Sequence, residues 1–469
     1  MSLRLTNTLG GKTEEFVPLE TGRVRMYSCG PTVYGPAHVG NFRAFVFADL
    51  VHRYLQWLGY EVSWVMNITD VDDRIIRDLA SDGGELDALT APHITRFMAD
   101  LAELRVGPPD IMPRATLHVP QMAALITNLL DKGHAYRTED GSVFFRISSW
   151  PAYGRLAHVD SQQVRRGERV AADDYGKDDA RDFALWKGPR EGEPCWTTAI
   201  GDGRPGWHIE CSAMSMQYLG QSFDIHTGGV DLIFPHHENE IAQSEAATGR
   251  RFVGTWLHNA HLQVRGQKMA RRDGNIFRPA DVYAQGYRPS ALRYALLATH
   301  YRAPLEWTDD SLDNAAAAVE RLSTAVAALD GYEQEGDLDP TLPSKLEAAR
   351  NDFRAGLDDD LNVAAALGAV FELVRELNRR LDARSLATAD ARLAASQLRD
   401  LDEVLAIIDV PADLSPAAAE LLKQRQLARE ASDWATSDRL RDELVTLGVI
   451  VEDTRDGQRW RPRGGPADG

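Results

Sequence analysis

MYSCGPTVYGPAHVGN, Met26 to Asn41, decides the fold. Its first residues read as the end of a strand, its Pro/Gly-rich middle as a loop, and its last residues as a helix start. The helix itself is supplied by the apolar residues that recur at helical spacing from Phe42 to Trp57. Such a loop sets backbone N–H groups and His38 at the positive end of a helix, where phosphates bind. Apolar runs at Val24 to Tyr27 and Val62 to Val65 flank the helix, which predicts a strand-helix-strand unit with the loop at the carboxyl end of the first strand. Open α/β sheets bind their ligands there. The tetrapeptide His38-Val39-Gly40-Asn41 alone assigns no function.

A second basic loop, QKMARRDGN, follows far downstream at Gln267 to Asn275 and presents Lys268, Arg271 and Arg272. Together the two loops resemble the HIGH and KMSKS signatures of class I aminoacyl-tRNA synthetases. Four longer segments narrow the resemblance: SCGPTVYGPAHVGN, NITDVDDRII (Asn67 to Ile76), GRPGWHIECSAM (Gly203 to Met214) and GGVDLIFPHHENEIAQSEA (Gly228 to Ala246). They are ordered along the chain as in the cysteinyl-tRNA synthetase family, and the similarity runs from about Leu5 to Trp460.

At 469 residues the chain exceeds one ordinary core and predicts about three domains. A hydrophobic content of 43% with 26% charged residues fits a soluble globular protein. Three cysteines in such a length build no disulfide framework, so a reduced, cytoplasmic setting is expected. No signal segment and no apolar run of about eighteen residues is present, so no membrane role is expected. The formal net charge of -18 argues against binding nucleic acid by charge alone, although local basic faces and shape recognition leave room for tRNA.

The expected architecture is α/β: a Rossmann-type parallel sheet with an inserted connective domain, then an all-α helical bundle and a small C-terminal α/β module. Residues 1-135 are expected to form the first half of the catalytic domain and 136-222 the insertion, rich in Gly, Pro and Trp. Residues 223-288 complete the sheet and carry the KMARR loop, 289-410 form the helical stem and bundle, and 411-469 the C-terminal module. A linker is read at Val410 to Asp413, and a strand-turn-strand with Asp456-Gly457 in the turn from Val449 to Trp460.

Cys29, Cys211, His236 and Glu240 are residue types that bind zinc. His236 and Glu240 stand at i, i+4, on one face of a helix. A free cysteine is more often a small buried hydrophobe, the His-His-Glu-Asn-Glu run reads equally as a solvated helix face, and His237 and Glu238 compete as ligands. The resemblance implies these four positions as the ligands of one Zn2+, and Cys195 matches none, reading as structural. It further implies ATP with Mg2+, L-cysteine and tRNA(Cys) as partners of a monomer. By the same resemblance His38, Asn41, Lys268 and Arg271 handle the phosphates, Gly40 lets the nucleotide approach, Thr69 contacts the amino acid and Trp207 walls its pocket. Asp231 faces either the ribose or the α-amino group. Aromatic Trp207 reads equally as core, and Thr69 as a strand-end cap.

One departure is plain: KMSKS is KMARR here, so the second lysine becomes Arg271, a planar fork in place of a compact ammonium. Relatives carry lysine also where Arg74 and Arg77 stand, and arginine forms no Schiff base, which argues against a pyridoxal-phosphate-dependent persulfide activity. In the C-terminal segment, Trp434 with Arg425, Arg429, Arg439 and Arg441 is expected to meet anticodon bases, or else to form an amphipathic helix pair with a core tryptophan. Two other readings are a cysteine:amino-sugar ligase of mycothiol type, which needs no anticodon reader, and a non-catalytic tRNA-binding paralogue motivated by KMARR.

Overall fold

The computed structural model describes residues 2–159, 181–409, 416–454 and 457–462, and divides into two compact units. The first comprises residues 1–278, 296–307 and 355–365. Its centre is a four-stranded sheet in the order Val253–Asn259, Phe223–Gly229, Arg23–Ser28, Glu61–Met66, parallel throughout. A sheet covered on its faces needs continuous apolar strands, and Val24, Met26, Tyr27, Trp64, Val65 and Met66 are all buried. The helix after the first strand is Val39–Trp57, capped by His38, and it starts three residues earlier than the apolar spacing from Phe42 suggests.

That helix buries Phe42, Phe45, Phe47 and Leu50. Phe42 and Phe45 meet Phe97 with ring centres 5.9 and 5.0 Å apart. Each such ring taken from water contributes about 1.5–3 kcal/mol, which makes this packing the main force seating the helix. Arg43 on the same helix is also buried, and its guanidinium donates to the carbonyls of Ala260, His261, His300 and Ala303. Burial lowers it to about 10, so it stays charged at neutral pH and clamps two backbone segments, 260–261 and 300–303, against the motif helix.

The segment after Tyr136 forms a five-stranded sheet built from Ala135–Arg137, Val143–Phe145, Phe183–Lys187, Gly201–Pro205 and Trp196–Thr198, antiparallel in every pairing. Within the same segment lies the helix Trp207–Leu219, which packs on the parallel sheet and carries Cys211. Gln267–Lys268 pairs with Leu262–Val264, which pairs in turn with Leu305–Trp307, a strand that the helical pattern of that region hides.

The second unit comprises residues 279–295, 308–354 and 366–469. It carries the helices Asp309–Asp330 and Thr388–Leu405, the Leu342–Asp358 helix up to Arg354 and the Val363–Asp382 helix from Ala366. The C-terminal part adds Pro416–Glu430, Trp434–Thr446 and an antiparallel pair, Val449–Thr454 with Gly457–Pro462. The expected linker at Val410 to Asp413 lies outside the described residues, as does Asp456 of the expected turn.

Candidate active site and metal centre

His38 caps the motif helix. Its Nδ1 accepts from the Asn41 N–H at 3.3 Å while the Asn41 side-chain oxygen accepts from the His38 N–H at 3.1 Å, a reciprocal capping box. With Nδ1 accepting, the ring proton resides on Nε2. Burial, and then the cations Arg271 and Lys268, lower His38 to about 4, so it is a neutral donor at pH 7. A Cβ on Gly40 would stand 3.1 Å from the His38 ring, so glycine there leaves room for that ring.

Lys268 Nζ lies 2.8 Å from Asp231 Oδ2, and both groups are partly exposed. Arg271 reaches across to the first loop, where its Nη2 donates to the Pro36 carbonyl. The structure therefore brings His38, Gly40, Asn41, Asp231, Lys268 and Arg271 into one neighbourhood. Asp231 is the counterion of the loop lysine and is held below the usual carboxylate range against its burial by Lys268.

Deeper in, four elements converge. The end of the first strand brings Cys29, the Trp207–Leu219 helix brings Cys211, and the turn Ile233–His237 followed by the helix Glu238–Thr248 brings His236 and Glu240. His236 thus precedes the regular helix, yet its Nε2 is 3.1 Å from Glu240 Oε1, as i, i+4 spacing demands. Cys29 Sγ stands 3.8 Å from Cys211 Sγ and 3.7 Å from Glu240 Oε1. These four donors all lie within 4.8 Å of one another. Around a tetrahedral ion with metal–sulfur bonds of about 2.3 Å, two sulfurs stand about 3.8 Å apart, and N or O donors about 3.3 Å apart. The donor set fits zinc.

Cys29, His226, His237 and Glu240 form a second, overlapping group that can hold a metal ion. His226 Nε2 sits 3.0 Å from Glu240 Oε2, and His237 Nε2 3.3 Å from Cys29 Sγ. His237 Nδ1 pairs with His258 Nε2 at 2.7 Å, and His258 Nδ1 with the Thr8 hydroxyl at 2.8 Å. His208 faces the far nitrogen of His236 at 3.0 Å. Glu238, a competitor by sequence, is instead engaged by the N–H groups of Gly154, Leu156 and Ala157.

The electrostatics suit anionic ligands. The hydrogen bond from Cys29 leads in holding the Cys211 thiol down to about 6, whereas burial pushes Cys29 up. Burial would raise Glu240, but His226 and His236 hold it at about 2. Cys195 is exposed and is not among the clustered donors.

Thr69 is buried, accepts from Asn67 Nδ2 at 3.0 Å and donates to Glu210 at 3.1 Å. Burial raises Glu210 strongly. Asn67 Oδ1 also takes the Gly30 N–H at 2.9 Å, and a Cβ on Gly30 would overlap the Asn67 carbonyl. Trp207 is 40% exposed and stacks on the His236 ring at 4.2 Å, so it is no core residue. Sequence reasoning passed over Asn67, Glu210, His208, His226 and His258. The only available signal was the position of Asn67, His208 and Glu210 inside the quoted segments, of His226 two residues before one of them, and of His258 on a separate strand.

In the C-terminal part Trp434 is 57% exposed, with Arg429 over its ring at 5.8 Å. Arg425, Arg429 and Arg441 all converge on Asp453. Arg425 is fully buried, so its expected contact with a base is corrected to a structural cross-link.

Comparison with solved structures defines the class. The chain is similar to Mycobacterium tuberculosis methionyl-tRNA synthetase in complex with methionyl-adenylate, with a TM-score of 0.59 at 16% identity, covering 82% of this chain and 90% of that one. It is also similar to LeuRS of Agrobacterium radiobacter K84, TM-score 0.58 at 13% identity with 84% of each chain covered. The fold is thus that of class I synthetases. Residues 15–317 match the family model "tRNA synthetases class I (C) catalytic domain", 352–409 the "DALR domain" and 412–461 the "Cysteinyl-tRNA ligase anticodon binding domain". Cysteine--tRNA ligases of Halorhodospira halophila and Koribacter versatilis are 46% and 42% identical over 98% of this chain, with 99% and 100% of those proteins covered. The chain belongs to the cysteinyl-tRNA synthetase family.

Proposed function

We propose that the chain activates L-cysteine with ATP to cysteinyl-adenylate and transfers the cysteine to the 3' end of tRNA(Cys). The observation that carries this reading is the Cys29, Cys211, His236, Glu240 donor set, buried except for the half-buried Cys29, beside the paired signature loops. Zn2+ held by these four would supply a position that accepts a thiolate and disfavours the hydroxyl of serine. An apolar pocket separates near-isosteric side chains by only about 1–3 kcal/mol, so a metal-based choice removes the need for editing.

Activation needs no protein nucleophile: the amino-acid carboxylate attacks the α-phosphorus and pyrophosphate leaves, and Mg2+ would accompany ATP to offset the phosphate charge. The chain's part is positioning and charge neutralisation. His38 donates from Nε2 to a phosphate oxygen, with Asn41 fixing its ring. Lys268 moves from Asp231 to the leaving phosphates, a cheap exchange because a solvent-exposed ion pair is worth at most about 1 kcal/mol, and Arg271 adds the second cation. Thr69 and Trp207 bound the amino-acid side chain, and Asp231, once released, takes the ribose or the α-amino group.

Residues 1–135 and 223–288 act as the two catalytic halves, 136–222 as the connective segment, 289–410 as stem and bundle, and 411–469 as the anticodon reader. Exposed Trp434 with Arg429 and Arg439 supports base stacking there. The amino-sugar ligase reading has no use for such a module, and the non-catalytic reading none for the converged donors. Among the described residues no helix is long and apolar enough to cross a membrane; a cytoplasmic monomer is our reading. Charging of bulk tRNA with labelled cysteine tests the proposal against both alternatives.

A further inference from the structure

The ring of Tyr34, in the first signature loop, is contacted by two guanidinium groups. Arg271 Cζ is 4.9 Å and Arg74 Cζ 5.0 Å from its centre. Arg271 is fixed there by two further features: its Nη2 bonds the Pro36 carbonyl, and it lies so close to Gly35 that a Cβ would come within 2.6 Å of Nη1. Among the described residues neither arginine forms an ion pair with a carboxylate, and Arg74 acts on Asp72 only through space. The stack thus gathers cationic charge where Coulomb repulsion opposes it, and the aromatic face compensates that repulsion.

We infer that Tyr34 is a positioning residue that docks the KMARR loop onto the first signature loop, through a stack that requires arginine at position 271. The inference rests on the proposed assignment of the two loops to ATP. Lysine at 271 would keep the charge and lose both the planar face that lies on the ring and the fork that reaches Pro36. Arg74, also stacked on the ring, helps hold it in its plane and sets the angle at which Arg271 meets it. Docking keeps the loop ordered before a nucleotide arrives, so that Arg271 starts beside His38 instead of searching for it.

The test is limited trypsin digestion of the full chain with its metal and without nucleotide, reading the rate of cleavage after Lys268, a site present in every variant. An exposed cation–π contact corresponds to about a two- to fivefold change in the open population. Tyr34→Leu is expected to raise the rate two- to fivefold, Tyr34→Phe to stay within twofold of the parent, and Arg271→Lys, an exposed change that leaves folding alone, to match Tyr34→Leu. Because Tyr34 acts through Arg271, adding Tyr34→Leu to Arg271→Ala should change nothing further. A parental rate in Tyr34→Leu or in Arg271→Lys, or multiplying effects in the double variant, overturns the inference. The digestion involves neither cysteine nor tRNA, so its failure is separable from failure of the proposed activity, which the charging assay reads.

Discussion

Two overlapping donor groups share Cys29 and Glu240, and one pair of substitutions separates them. If Cys211 and His236 complete the site, Cys211→Ser removes a ligand. Structural zinc binding of roughly 10–16 kcal/mol spread over four ligands makes each worth about 2.5–4 kcal/mol, so affinity should fall by about two to three orders of magnitude. His226 then only orients Glu240 through its 3.0 Å contact to Oε2. His226→Gln keeps an N–H donor for that oxygen, and its cost should lie at or below tenfold, the lower bound for losing an outer partner. Zinc affinity is measured by competition with a chromophoric chelator on protein whose fold is verified by thermal melting. Cobalt substitution adds a direct count, since the thiolate charge-transfer band should carry the intensity of two sulfurs. The opposite order of losses, with a one-sulfur band, would refute the assignment in favour of Cys29, His226, His237 and Glu240.

Other expectations follow from the same geometry. Cys195→Ala should leave metal content and cysteine affinity unchanged while Cys211→Ala loses most of both, read by elemental analysis and equilibrium binding. Arg271→Ala should slow cysteinyl-adenylate formation by about 2–4 kcal/mol, tens- to a thousandfold, with cysteine affinity almost untouched in pre-steady-state kinetics. His38, lowered to about 4, binds its proton more readily in the unfolded chain, so its contribution to stability is present above about pH 6.5 and is lost as pH falls toward 4; His38→Ala should flatten that part of the melting-temperature profile. Asp453→Asn leaves the buried Arg425 without its charge partner and should destabilise the C-terminal helices by about 3–5 kcal/mol, seen in denaturant melts.

The strand-helix-strand unit was legible because period, Pro/Gly loop and helix spacing all agreed from Val24 to Val65. The strand Leu305–Trp307 was not, since three residues between helical patterns carry no period. The helix holding Cys211 fell inside a stretch whose Gly and Pro content suggested only short strands. Ligand types were visible in the sequence, but the company they keep was not: His208, His226 and His258 are ordinary strand or helix residues until the sheet brings them within hydrogen-bond reach. Arg43 and Arg425 show the reverse limit, because a buried arginine is written like an exposed one. The Tyr34 stack depends on a loop-to-loop contact across more than two hundred residues, which no local pattern encodes.

The most direct test of the account is aminoacylation of bulk tRNA by the zinc-loaded chain with labelled cysteine, and with labelled serine in parallel. The account predicts ATP-dependent, acid-precipitable charging with cysteine and none above background with serine, the cysteine charging abolished when the metal is removed. Cysteine-dependent ATP–pyrophosphate exchange without any charged tRNA, or no exchange at all, would contradict it.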